Sequence, residues 1–176
     1  MSDNKKDYIS AIQYLLYCYP LCNYVNREKV NVLVLGYSDI AERFIDFAFE
    51  MAQVNGYKLN ITVASDNADA KKEYLKARPV FCNFFSVDGK VVDDDYGILS
   101  FKTIAFGNIK DDISEILLNE DSNKYAYLFI GSDSEDLNLK IATVCADCRE
   151  LLDANFVINC VADKDSIEDS INYVHI

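Results

Sequence analysis

Residues 30–41, VNVLVLGYSDIA, decide the fold. Val30, Val32, Leu33, Val34 and Leu35 form a run that is apolar at nearly every position. That is the pattern of a strand covered on both faces. Gly36 lets the chain turn tightly, and a short polar turn in which Asp39 can cap a helix N-terminus opens a helical pattern. Strand, glycine turn and helix in this order mark the first unit of an open, mainly parallel α/β domain.

The downstream sequence repeats the unit. The first helix after the turn is expected over about residues 39–55, with Ile40, Phe44, Phe47, Ala48 and Met51 as its buried stripe and Asn55-Gly56 closing it. Further strands are expected at 58–64, 101–106, 125–130 and 156–161, and helices at about 68–77, 111–118 and 134–152. The expected class is α/β, a Rossmann-like doubly wound sheet of order 3-2-1-4-5 with helices on both faces. Residues 173–176 have the character of a sixth strand, preceded at 165–172 by a helical turn. A helix over 8–19, ended by Pro20, precedes the first strand. Residues 1–29 are therefore an N-terminal helical extension to one domain over 30–176. Residues 80–100 read as an insertion, either a loop or a β-hairpin turning at Asp88-Gly89.

Composition narrows the function. A formal charge of −12 and a pI near 4.4 oppose a nucleic-acid or anionic-membrane surface, which needs basic groups to neutralise phosphate. The one basic cluster, Lys71, Lys72, Lys76 and Arg78, falls on one helix and reads as a solvated face. Residues 14–22 are too short to span a bilayer, and no secretory signal opens the chain. The six cysteines then read as reduced thiols and the location as cytoplasmic. Cys145 and Cys148 form a CxxC within a helix, on its apolar stripe, and so read as small buried hydrophobes. Cys18 and Cys22 lack further ligands for a metal, and Asp93-Asp94-Asp95 reads as a solvated turn. His175 is the sole histidine, which removes most routes to acid–base or Ser-His-Asp catalysis. No catalytic or metal-ligating residue is assigned.

Ligands of such sheets bind outside the carboxyl ends of the strands, where the strand order reverses. Four segments fall there: Gly36, Tyr37, Ser38, Asp39, Ile40 and Ala41; Asp66 and Asn67; Gly107 and Asn108; and Gly131, Ser132 and Asp133. In a nucleotide site the amides after Gly36 would face phosphate at a helix N-terminus, and Asp66 would accept hydrogen bonds from ribose hydroxyls.

The segments VLVLGYSDIAERF, ITVASDNAD and YLFIGSDSEDLNLKIATVCADCRE resemble the NAD-binding Rossmann domain of regulators of potassium conductance. The resemblance spans about residues 30–163 without the insertion. It implies NAD or another adenine nucleotide as ligand, and it sets Gly131, Asp133 and Asn138 at the family's positions after the fourth strand. The turn departs from the family's G-x-G-x-x-G/A. Ala41 fits its third position, but Ser38 replaces the second glycine and Asp39 sets negative charge where a phosphate would lie.

The expected function is a nucleotide-binding regulatory or sensing module, non-catalytic, with a homodimer or further domains of a longer chain as partners. Two alternatives stay open: a fragment of an NAD(P)-dependent oxidoreductase, and a degenerate Rossmann domain serving as a protein-interaction module.

Overall fold

Strand β1 (Lys29–Leu35) forms where apolar residues alternate into both faces of the sheet, and its neighbours follow from that. The computed structural model of the chain describes residues 4–90, 92, 96–118, 124–162 and 171–174. Within these the order is α1 (Asn4–Cys18), β1, α2 (Asp39–Asn55), β2 (Lys58–Ser65), α3 (Ala70–Ala77), β3 (Ser86–Val87) and β4 (Gly97–Thr103). There follow α4 (Ile109–Leu118), β5 (Tyr127–Ile130), α5 (Glu135–Asp147), β6 (Val157–Val161) and β7 (Ile171–Val174).

The strands make one seven-stranded sheet, β3-β4-β2-β1-β5-β6-β7, with every neighbouring pair parallel. Its middle, β4-β2-β1-β5-β6, is the doubly wound order read from the sequence. β7 is the extra strand at one edge, and it opens at Ile171.

Side-chain alternation splits the core in two. Val30, Val32 and Val34 face one layer with Ile12 and Leu16 of α1 and Phe44 and Ala48 of α2. Leu33 and Leu35 face the other, with Ile113 and Ile116 of α4 and Ile141 and Cys145 of α5. The Phe44 ring stacks on Phe129 of β5 at 4.2 Å and an interplanar angle of 2°, fixing α2 over the centre of the sheet. Gly56, at φ +72°, closes α2 through its amide to Ala52 O.

Four sequence expectations are corrected. The strand expected at 101–106 is β4 at 97–103; Gly97 and Leu99 are buried, while polar Ser100 and Lys102 obscure the alternation. Asp88-Gly89 does turn with both φ positive, and Val87 and Lys90 form an isolated antiparallel bridge, but among the described residues no hairpin ladder follows it, and β3 pairs in parallel with β4. The buried stripe of α2 keeps the expected Ile40, Phe44 and Ala48 and adds Ala41, Ile45, Phe49 and Ala52; Met51 is 37% exposed and Phe47 half-buried. The helix expected over 134–152 ends at Asp147 and continues as a 3-10 turn, Arg149–Leu151. Residues 93–95, His175 and most of the turn expected at 165–172 lie outside the described residues.

The six cysteines are free thiols. Cys145, Cys148 and Cys160 are buried on the α4–α5 side of the sheet. Burial pushes the Cys160 thiol up to about 12 from 9.0, with Glu135 adding to the shift, and raises Cys145 as well. Tyr57 is likewise pushed by burial from 10.0 to about 12. A raised folded pKa stabilises the fold fully below the unfolded value and loses that contribution as pH rises. Stability is therefore expected to fall between pH 9 and about 12 through the thiols and Tyr57. Urea titrations across that window check this, and Cys145→Ala should flatten the slope.

Among the described residues, no helix is long and apolar enough to cross a membrane.

Candidate functional site

The sheet reverses its winding between β1 and β5. The loops that follow these two strands meet at the carboxyl end of the sheet. Gly36 has φ +89° and its amide donates to Ala64 O at 2.8 Å, so the chain leaves β1 by way of β2. A Cβ at Gly36 would lie 2.7 Å from Ser132 N and 2.9 Å from Ser132 Cα. Glycine is needed here because the second loop packs directly on the first.

Ser38 is the N-cap of α2, and its Oγ accepts from Ala41 N at 3.4 Å. The same hydroxyl donates to Gly131 O at 2.6 Å. Ser38 is 9% exposed, so the two loops are tied by a buried hydrogen bond where a dinucleotide's pyrophosphate would approach. Asn138 fixes the second loop. Its Oδ1 accepts from Ser132 N at 2.9 Å and from Ser132 Oγ at 2.7 Å, while its Nδ2 donates to Ser132 O and to Val161 O. Four hydrogen bonds to a side chain that is 1% exposed hold the ends of β5 and β6 together.

A cavity of about 150 Å³ remains between the loops. Ser38, Asp39, Ile40, Ser132, Asp133 and Asn138 line it, with Tyr8 of α1 and Glu135 of α5. This is below the several hundred Å³ usual for a cofactor pocket. Its charged lining residues are Asp39, Asp133 and Glu135, with no lysine or arginine among them. Glu135 Oε1 is buried there without a hydrogen-bond partner among the described residues. Such a lining repels phosphate, although the α2 N-terminus by itself favours anions.

The remaining predicted residues lie elsewhere. Tyr37 turns away from the cavity; its hydroxyl bonds the Glu42 carboxylate, and burial raises its pKa, with that carboxylate adding to the shift. Ala41 is fully buried beneath the turn. Asp66 is exposed and lines none of the cavities described here. Asn67 shapes its own loop, with Oδ1 accepting from Asp69 N and Nδ2 donating to Glu73 at 2.9 Å. Gly107 and Asn108 lead into α4, and Asn108 N donates to Asp112 Oδ2 at 3.2 Å. They follow β4, which β2 separates from the β1–β5 junction. The structure thus joins the first and fourth segments and leaves the second and third apart.

Sequence reasoning placed Arg78 on a solvated face. Its side chain is instead 16% exposed. Nε and Nη2 donate to the two Asp46 oxygens at 2.5 and 2.6 Å, Nη1 and Nη2 reach Glu42 at 3.2 Å, and the guanidinium lies 4.0 Å over the Tyr74 ring. Tyr74 completes the network by donating to Asp46 at 2.9 Å, and burial pushes its hydroxyl pKa well up. Glu42 joins this network to Tyr37, next to the closed loop. The only sequence signal for it was the i, i+4 pair Glu42 and Asp46 on a helix otherwise rich in apolar residues.

Among the described residues, no group of three or more His, Cys, Asp or Glu side chains is placed to hold a metal ion. Comparison with protein-family models, curated proteins and solved structures gives no match to this chain.

Proposed function

We propose that this chain is a non-catalytic regulatory module of Rossmann-like fold that acts through its surface, with its switch-point crevice held closed by its own loops. The observation that carries this is the 2.6 Å bond from Ser38 Oγ to Gly131 O, beside a cavity lined by three carboxylates. A dinucleotide would have to break that bond, part Gly36 from Ser132 and bring its phosphates beside Asp39. Each of these steps opposes binding.

A second reading keeps the crevice as a site for NAD or another adenine nucleotide, which would open the loops and report its own presence. The left-handed Gly36 turn into α2, with buried Ala41 at the third motif position, favours it.

A thermal-shift panel of NAD, NADH, NADP, ATP, ADP, AMP and S-adenosylmethionine separates the two. A ligand at a hundred times its Kd adds about 2.7 kcal/mol, or roughly 5–10 °C for a domain of this size. The closed crevice predicts no shift with any of them. A saturable shift with any of them would establish the nucleotide reading instead.

A further inference from the structure

We infer that the outer ridge of α2 and the aromatic groove beside it form a two-fold interface with a second copy of this chain. This rests on reading the chain as an interaction module, and names the partner and the surface. The groove is a cavity of about 480 Å³ between α2 and residues 77–85, with Ile9 of α1 at its edge. Its floor is a cluster of Phe49, Phe81 and Phe85 rings with centroids 4.1 to 5.2 Å apart. At its mouth Val80 is 63% and Phe84 51% exposed. Apolar surface gathered around one groove marks a contact site.

The charges on this surface select the occupant. The groove's charged residues are Arg43, Asp46, Glu50 and Arg78, two cations and two anions, in a chain of net charge −12. A second acidic copy meets no net repulsion here, unlike at the carboxylate-lined crevice. Arg78 and Asp46 bond each other. Arg43, whose side chain is 44% exposed, reaches Asp46 only at 3.9 Å, and Glu50 is exposed.

Arg43, Phe47 and Glu50 stand at i, i+4 and i+7 on α2, one side of the helix over two turns, about 10 Å. The ridge is self-complementary. A two-fold axis passing between positions 46 and 47 lays α2 antiparallel on its copy, with each Arg43 opposite the other's Glu50 and the two Phe47 rings beside the axis. A register one turn further along would bring Glu50 against Glu50, which like-charge repulsion disfavours. A contact in which the same patch serves both copies closes at two and leaves no open end for further growth. It also covers the part of Phe47 that packing against the core leaves exposed.

Sedimentation equilibrium over a concentration series tests the interface. The wild-type chain is expected at twice its 20.0 kDa mass. Arg43→Glu and Glu50→Arg each set like charges together at two symmetry-related places and should weaken the dimer by more than about tenfold. The double variant Arg43→Glu/Glu50→Arg restores opposite charges and should recover the dimer, which also excludes misfolding as the cause of the single effects. A wild-type chain that stays at 20.0 kDa overturns the inference. So does a dimer that both single variants leave unchanged, or one that the double variant fails to recover. The nucleotide panel reads the crevice and this experiment reads α2, so either result can fail without the other.

Discussion

Gly97→Ala is expected to destabilise the domain by about 3 kcal/mol, the upper end of the usual cost of overpacking. Gly97 is the residue of β4 that pairs with Leu59 of β2. A Cβ there would stand 2.0 Å from Leu59 O and 2.9 Å from Leu59 C. Both atoms are backbone, so no side chain can swing aside. Relief requires β4 to move off β2, along a ladder that runs from 59 to 65 and from 97 to 103. Gly107 supplies the control. A Cβ at Gly107 would meet nothing within 4 Å and its φ is not in the left-handed region, so Gly107→Ala should change stability by less than about 0.5 kcal/mol. Urea unfolding of the two variants reads the contrast directly in the midpoint.

Arg78→Met is expected to cost about 3 kcal/mol, because it strands two largely buried carboxylates. The Glu42 and Asp46 side chains are 24% and 25% exposed, and Arg78 is the cation that both receive at hydrogen-bond distance. The stack on Tyr74 is lost as well. Most of the cost comes from the anions left behind and not from the pair itself. Adding Glu42→Gln and Asp46→Asn to Arg78→Met should therefore recover a good part of the loss. A triple variant as unstable as the single one would show that the guanidinium acts mainly by packing. Urea midpoints of the three proteins give the answer.

The fold was legible where a local pattern coincided with a physical need. β1 is apolar at successive positions because it is covered on both sides, and Gly36 and Gly56 mark the two ends of the unit that holds α2. The phase of α2 was less legible. Apolar residues occupy so much of its circumference that Phe47 and Met51 fit an inward stripe as well as Phe49 and Ala52 do. β4 was misplaced because it is partly exposed beside the short β3, so its pattern of glycine, apolar and polar residues lacks a clear period.

The site was legible as a set of positions and not as a state. Ser38 and Asp39 stood out as departures from a dinucleotide turn. The contact that closes the loops, Ser38 to Gly131, spans 93 residues and depends on β1 and β5 being neighbours. The pairing of Arg78 was hidden for the same reason, since its partners Glu42 and Asp46 lie 36 and 32 residues away. Asp66 was placed correctly after β2, but position alone says nothing of whether a carboxylate faces a cavity.

The central claim is that the loops after β1 and β5 close on each other and leave no room for a dinucleotide. The most direct measurement follows the backbone amide resonances of Gly36, Ser38, Gly131 and Ser132 during titration with NAD. The closed crevice predicts that they do not move even at NAD concentrations that would saturate an ordinary dinucleotide site. Saturable shifts confined to residues 36–41 and 131–133 would contradict it, and would show that the crevice opens to receive a nucleotide.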